Sequence, residues 1–476
     1  MISMRISPAV STKSHRRFIT WLVAGAAFME MLDGTVIVTA MPQMGRAFNV
    51  SAVAMNIGVT AYLLALAVFM PVTGWAAERF GLRRVFAGAV LMFTVASLLC
   101  GVSGSLWMFT AARVLQGIGG AAMVPVGRLA VLRATAKQDL VQAIATIVWP
   151  GLIAPVLGPL IGGFLVTYAS WRWIFFLNLP LGLAAFTLAL RLLPGMTGEQ
   201  SRPLDITGFF LMGGGLAALV FGFNELGRTG AAQFFPEVLL ATGAGLGGLA
   251  VWHCKHHEFP LLEFGALRIR TYAVSVWGGS LFRVAISSAP FLLPLLFQTV
   301  FGLNAFISGA LLLSLFAGNL LMKTITTRVL RRFGFRQVLV FNGLLTAMSL
   351  FVCAWFTPGT PQFLIVPVLF IGGALRSMQF TSLSTIQFAD VPAQQMSGAS
   401  TLSSMMSQLT MGMGAALGAF TLNVSALLRG GVVGRPDLHD FHNAFYLAAG
   451  IAFLGVLDCL RLDKAAGRTV SGHKDP

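Results

Sequence analysis

Two carboxylates, Glu30 and Asp33, stand inside the apolar stretch FMEMLDGTVIV. Because they are three residues apart, they share one face if this stretch is helical. An ionisable side chain at the centre of a bilayer costs roughly 2.5–3.5 kcal/mol on insertion scales, so each acid needs a partner, a wet cavity or a function. Burial and mutual repulsion favour the uncharged forms, and we expect at least one of these acids to exchange a proton. The alternatives are a structural ion pair with Arg113 for Asp33 and an interfacial position for Glu30.

Three arginines, Arg113, Arg283 and Arg376, lie in equally apolar surroundings. Arg283 and Arg376 are flanked by small or polar residues of the kind expected along a cavity wall. A planar guanidinium suits carboxylates. An anionic substrate, such as a carboxylate or a metal–carboxylate chelate, is therefore an alternative to a cationic drug. Both arginines can instead pair with main-chain carbonyls and helix C-termini. Three amide side chains are further candidates for the substrate cavity: Gln116, Gln298 and Gln379.

The composition is that of a polytopic membrane protein. Of the 476 residues, 56% are hydrophobic and only 10% are charged, whereas about a quarter of a soluble domain is charged. The net charge of +16 does not indicate nucleic-acid binding, because the basic residues form short clusters between apolar runs. The four cysteines are widely separated, so they predict no disulfide framework.

Other motifs are weaker. The segment HCKHHE places His253, His256 and His257 at spacings that can bind a metal, but it ends an apolar run, where polar interfacial residues are expected. The run GAGLGG at 243–248 has no preceding strand and does not predict a nucleotide site. The sequence contains neither a Walker loop nor a nucleophile–histidine constellation. We therefore expect no cofactor, no metal and no enzymatic activity.

Fourteen segments are long and apolar enough to cross a bilayer, since a crossing helix needs about 20 mainly apolar residues. They lie at 18–42, 53–77, 84–103, 106–132, 141–168, 173–193, 205–226, 236–254, 272–301, 305–327, 337–357, 361–388, 396–428 and 440–461. The apolar part of the first segment is too long for a signal peptide, and we interpret it as a retained helix. The expected fold class is an all-α polytopic membrane protein.

Basic residues set the expected orientation. They cluster before the first segment and after the second, fourth, sixth, eighth and tenth segments, all on one side of the membrane. The opposite side carries far fewer. By the positive-inside rule, both termini are expected in the cytoplasm.

An internal repeat divides the chain. RFGLRRV begins at Arg79, after the second segment, and RFGFRQV begins at Arg332, after the tenth. This predicts a six-helix bundle at 1–200, two extra helices at 201–262, and a second six-helix bundle with a short cytoplasmic tail at 263–476. Parallel halves are typical of transporters that rock about a central site.

Five ordered motifs resemble those of a known family. GWAAERFGLRR (74–84), RVLQGIGGA (113–121) and GPLIGG (158–163) resemble the second-loop, fourth-helix and fifth-helix motifs of the major facilitator superfamily. LDGTVIVTAMP and SWRWIFFLNLP narrow the resemblance to its fourteen-helix drug:proton antiporter branch, the EmrB/QacA-like multidrug efflux transporters. The resemblance covers nearly the whole chain and implies the major facilitator fold.

The resemblance also implies roles for particular residues. Asp33 matches the family's first-helix acid, which makes it the stronger candidate for proton coupling. Arg113 matches the family's fourth-helix arginine and is expected to tune that acid, whereas Glu30 stands where relatives often have an amide. The second loop is expected to form a gating charge network, although Glu78 replaces the usual Asp; its residues are Gly74, Glu78, Arg79, Gly81, Arg83 and Arg84. The fifth-helix motif is expected to pack tightly between the moving halves through Gly158, Pro159, Gly162 and Gly163.

These observations lead us to expect a proton-coupled exporter of a bacterial-type inner membrane, working by alternating access. Its partners would be a small-molecule substrate, protons and the lipid bilayer, with no nucleic acid and no obligate protein partner. One alternative is an organic-anion transporter acting by export, uniport or symport. A more distant alternative is a membrane sensor or scaffold that binds a ligand without transporting it.

Overall fold

The computed structural model describes residues 13–135, 140–193, 203–225, 235–392, 395–432, 434–463 and 466–467. Within these ranges the chain is helical and contains no strand. A 3-10 turn at Gly265–Arg268 and a π-helical turn at Leu296–Val300 flank the helix Arg270–Leu295. The helices are α1 Lys13–Phe48, α2 Asn56–Phe80, α3 Leu82–Val102, α4 Leu106–Ala134, α5 Leu140–Tyr168, α6 Trp173–Phe176, α7 Asn178–Leu192, α8 Ile206–Glu225, α9 Phe235–His256, α10 Arg270–Leu295, α11 Ala305–Cys353, α12 Gln362–Ile386, α13 Met396–Leu428 and α14 Leu438–Cys459.

The helices have the lengths and surfaces of a multi-pass membrane protein. In the described part of the chain, 11 are long and apolar enough to cross a bilayer, and two shorter apolar helices lie at Ile153–Tyr168 and Ile206–Gly222. Large apolar side chains such as Trp107 and Phe363, 71% and 73% exposed, cover the outside. Such a surface suits lipid rather than water. Every predicted segment coincides with a helix, a pair of consecutive helices or one arm of α11.

The two repeated loops have the same backbone conformation. Gly81 separates α2 from α3 at φ 85° and ψ 145°, and Gly334 bends α11 into two arms at φ 73° and ψ 166°. Residues with a side chain rarely adopt such positive φ values, so glycine is required at both turns. Each half therefore uses a glycine with positive φ to turn the chain at this loop. We call the face that contains these turns and the start of α1 the terminal face, and the opposite face the distal face.

The helices α8 and α9 pair with each other beside the seam between the halves. A Cβ atom on Gly215 would lie 3.0 Å from the Gly247 nitrogen, so the absence of side chains lets the two backbones approach. Apolar residues of α8 pack with α2 of the first half and α13 of the second, including Met212, Val68 and Leu409. The pair thus covers the line along which α2 meets α13.

The halves are closed against each other at the distal face. The Phe306 amide at the start of α11 donates to Oγ1 of Thr167 at the end of α5, at 3.1 Å. Nε2 of Gln298 donates to the carbonyl of Thr39 on α1, at 3.2 Å. Both contacts join one half to the other, so any opening towards the distal face has to break them.

Candidate functional site

Asp33 lies at the centre of a buried polar cluster in the first half. Its Oδ2 accepts a hydrogen bond from Nη1 of Arg113 at 2.5 Å. Its Oδ1 accepts from Nε2 of Gln116 at 2.8 Å and from Nδ2 of Asn178 at 3.0 Å. The Asp33 and Arg113 side chains are 0% exposed. The carboxylate charge is therefore balanced by a guanidinium and shared among three donors.

Three helices bring this cluster together, because α1 carries Asp33, α4 carries Arg113 and Gln116, and α7 begins with Asn178. Arg113 and Gln116 are three residues apart on one helix, so both reach the same neighbour on α1. Asn178 also donates to Oγ of Ser97 on α3 at 3.0 Å, which fixes its amide. Asn178 is not among the site residues predicted from the sequence, although a polar residue within the apolar run WIFFLNLPLG was a usable signal.

Glu30 has different surroundings from Asp33. It lies one turn earlier on α1 and is 5% exposed, and its Oε2 has no hydrogen-bond partner among the described residues. A Cβ atom on Gly120 would lie 3.8 Å from the Glu30 carboxyl carbon and 3.4 Å from the Tyr62 hydroxyl, which also lacks a partner in this part of the chain. Gly120 thus leaves both groups facing a common space. The Arg113 guanidinium lies 4.1 Å above the Tyr62 ring centroid and pairs with Asp33.

The fourth helix of the second half, α12, repeats the arginine–glutamine spacing of α4, with Arg376 three residues before Gln379. The bonding differs. Gln379 donates to the carbonyl of Leu339 at 3.1 Å and accepts from Asn342 at 2.9 Å. Nη1 of Arg376 is buried and has no hydrogen-bond partner among the described residues. The first half supplies its arginine with an acid, and the described part of the second half does not.

Arg376 lines a cavity of about 180 Å³ where the halves meet. Lys323 of α11 lines the same cavity, together with Asn319, Ser287 and, from the first half, Val156. No acidic residue is found among the described side chains that line it. The cavity therefore combines two cationic groups with neutral hydrogen-bonding groups.

Of the five residues expected to line a substrate cavity, only Arg376 lines this one. Gln298 instead bonds a main-chain carbonyl of α1 at the distal closure. Arg283 donates to a main-chain carbonyl of its own helix at 3.4 Å, as the alternative interpretation of the sequence anticipated. Gln116 and Gln379 are held inside their own halves by the bonds described above. The sequence identified these residues as polar groups within the bundle, but it did not show which faces they occupy.

The second loop does not contain the charge network expected there. Glu78, Arg79 and Arg84 are exposed, Arg83 is partly exposed, and no ion pair within the described ranges involves them. A Cβ atom on Gly74 would meet no atom within 4 Å, so no close helix approach depends on that glycine in this structure. The charged residues of the loop are thus exposed on the terminal face, while the distal face is closed.

The fifth-helix motif serves two kinds of packing. Cβ atoms on Gly158 and Gly162 would collide with α1, inside the first half. A Cβ atom on Gly163 would collide with the carbonyl of Ala305, in the second half. The carbonyl of Pro159 in turn lies against Gly309 of α11. One turn of α5 therefore joins the first half internally and closes it against the second.

Sequence comparisons agree with this architecture. A profile described as the Major Facilitator Superfamily matches residues 23–415. A putative multidrug resistance protein MdtD of Cronobacter sakazakii is 35% identical over 441 residues, which cover 90% of each chain. The protein of the same description from Escherichia coli O6:H1 is 34% identical over 410 residues, or 86% of each chain.

Solved structures share the fold at low identity. A D-xylose–proton symporter aligns with a TM-score of 0.68 and 15% identity, over 95% of this chain and 99% of the symporter. An auto-inhibited POT family peptide transporter aligns with a TM-score of 0.65 and 14% identity, over 93% of this chain and 96% of the transporter. Identities this low establish a common fold alone.

Proposed function

Because this chain belongs to the major facilitator superfamily and is a membrane transporter rather than an enzyme, we propose that it is a proton-coupled exporter working by alternating access. The description of its MdtD relatives as putative multidrug resistance proteins supports export of small molecules. The motifs around Asp33 and Asn178 favour the fourteen-helix, EmrB/QacA-like branch. The bilayer would be a bacterial-type inner membrane with the terminal face in the cytoplasm, and the domains would divide at 1–200, 201–262 and 263–476.

The observation that carries the proton coupling is the unequal bonding of the two acids on α1. Asp33 is bonded to Arg113 and to two amides, so protonating it would leave a buried guanidinium without its counter-charge. Glu30 forms no ion pair within the described residues, and its Oε2 has no partner. A charged Glu30 would also repel Asp33, three residues away. Glu30 is therefore the proton carrier, and Asp33 with Arg113 is the fixed pair beside it.

The closed distal face suggests how the proton is used. With the terminal face in the cytoplasm, closure between α5 and α11 prevents exchange with the outside. In this arrangement Glu30 would release its proton inward. Opening the distal side would let it bind a proton again as substrate leaves. Tyr62, whose hydroxyl shares the space beside Gly120, is placed to pass the proton or to hold a water next to Glu30.

Transport by proteoliposomes tests this proposal. The purified protein, reconstituted with an imposed pH gradient, is expected to move at least one compound from a screen of lipophilic cations, neutral drugs and carboxylate anions. A protonophore should abolish that movement. Movement that persists without any gradient and ignores the protonophore would indicate a uniporter. Binding without movement would indicate a sensor.

A second candidate function, organic-anion transport, is favoured by the cavity that contains Arg376 and Lys323. A buried cationic group without a partner is costly, and a bound carboxylate would offset that cost at Nη1 of Arg376 and pair with the partly exposed Lys323. The neutral neighbours Asn319 and Ser287 can donate further hydrogen bonds to an anion. In this assignment the first half binds and releases the proton, and the second half supplies the cationic groups that bind the anion. In the same screen, transport of cations with no response to any carboxylate would eliminate this candidate.

A further inference from the structure

A second polar cluster lies at the terminal face, away from both Asp33 and the central cavity. It combines Asp205, which immediately precedes α8, with His253 in the last turn of α9 and His257 directly after that helix. One ligand atom from each residue lies within 4.8 Å of the others. The histidines alone gave a weak signal in the sequence, because their acidic partner lies 48 residues earlier.

The spacing within the cluster suits a metal. His257 directly follows α9, and its amide donates to the His253 carbonyl at 2.9 Å, so the last helical turn brings the two imidazoles together with their ring centroids 4.9 Å apart. Nε2 of His253 lies 2.8 Å from Oδ1 of Asp205. Metal–ligand distances of about 2.0–2.2 Å place two ligands of one tetrahedral ion a little over 3 Å apart. A small increase in the distance between Nε2 of His253 and Oδ1 of Asp205, together with a rotation of the His257 ring, would therefore place three ligand atoms around one ion.

Asp205 is held ready for this role by the surrounding main chain. The Gly208 amide donates to its Oδ1 at 2.7 Å, and the Leu261 amide donates to its Oδ2 at 3.2 Å. These bonds orient the carboxylate without a side-chain cation. Fixed carboxylates of this kind orient ligands and support metal affinity.

We propose that Asp205, His253 and His257 form a binding site for a divalent transition-metal ion of the zinc class. Two imidazoles and one carboxylate suit Zn²⁺, Co²⁺ or Ni²⁺, whereas Mg²⁺ and Ca²⁺ prefer sites made of oxygen. Water would fill the remaining position. The ion would connect the start of α8 to the end of α9, and Leu261 connects that junction to the segment leading into the second half. The site goes beyond the transport function and does not depend on it.

The alternative is that Asp205 serves only as a helix cap, bonded to His253. A substitution of His257 distinguishes the two possibilities, because His257 takes no part in the Asp205–His253 bond. His257→Ala removes a metal ligand and leaves that bond in place. His256→Ala is the matched control, because the His256 ring stacks on Trp252 at 5.0 Å and lies outside the cluster.

The experiment is calorimetric titration of Zn²⁺ into purified full-length protein without a polyhistidine tag, supported by the absorption spectrum of bound Co²⁺. We expect one saturable site, at least about tenfold weaker in His257→Ala and unchanged in His256→Ala. Binding should weaken at acidic pH, where protons compete for the imidazoles. Ca²⁺ should not bind there. Absence of saturable Zn²⁺ binding, or equal binding by wild type and His257→Ala, would overturn the proposal whatever the protein transports.

Discussion

Arg113 and Asp33 form a fully buried ion pair, 2.5 Å between Nη1 and Oδ2, that joins α4 to α1. Breaking such a pair leaves an uncompensated charge, which typically costs about 3–5 kcal/mol. We therefore expect Arg113→Gln to lower stability by that order, and Asp33→Asn/Arg113→Gln to recover much of the loss. Thermal unfolding in detergent checks this expectation. If the unfolding free energy of Arg113→Gln lies within about 0.5 kcal/mol of the wild-type value, the pair is not structural.

Gly163→Val is expected to hold the distal face open. The new Cβ would meet the carbonyl of Ala305 and the backbone of Phe306, neither of which can move aside as a flexible side chain would. The measurement is labelling of Gln298→Cys by a membrane-impermeant thiol reagent. The native cysteines are all buried, so background labelling should be low. We expect faster labelling in the Gly163→Val background.

Gly158→Ala controls for general damage to helix packing. Its Cβ would meet Thr35 and Val36 on α1, within the first half, and its nearest neighbours do not include α11 or Thr39, the partner of Gln298. Labelling of Gln298→Cys should therefore stay near the wild-type rate in this background. Equal acceleration by both glycine variants would contradict the assignment of Gly163 to the closure between the halves.

Arg376 and Lys323 are expected to set the affinity for anions if the second candidate function holds. A hydrogen bond to a charged group contributes roughly 1.5–3 kcal/mol, so Arg376→Gln or Lys323→Gln should weaken carboxylate binding about 10- to 100-fold. Arg328→Gln is the control, because it removes an exposed positive charge from α11, the helix that also carries Lys323. Carboxylate binding measured by titration should be unaffected in the control. Full affinity in both cavity variants would exclude this site.

Much of the fold was predictable because it follows from local composition. The apolar segments coincide with helices, and the repeated RFG tripeptides predicted two equivalent turns, at which Gly81 and Gly334 share a positive φ. The proximity of Asp33 and Arg113 was also anticipated. Two opposite charges in apolar helices are costly unless they meet.

The rest of the site depends on which helix faces meet, and a single sequence does not contain that information. Lys323 lies within a predicted segment, but nothing local places it beside Arg376. Gln298 and Gln379 are polar residues in apolar surroundings, just as cavity residues would be, yet they bond main-chain carbonyls at a closure and inside a half. Asp205 and His257 are more than fifty residues apart, so their proximity depends on how α8 pairs with α9.

The central claim is that Glu30, rather than Asp33, carries the coupled proton. The control variant is Glu237→Gln, which alters an exposed carboxylate at the start of α9. Asp33→Asn/Arg113→Gln serves as a second comparison, because it removes the fixed pair while leaving Glu30 in place.

The most direct measurement is the number of protons released when a transported compound is added to purified, weakly buffered protein. We predict that wild type, Glu237→Gln and Asp33→Asn/Arg113→Gln release protons, and that Glu30→Gln binds the compound without releasing any. Normal release by Glu30→Gln, together with its loss in the double variant, would contradict the account and assign the proton to Asp33.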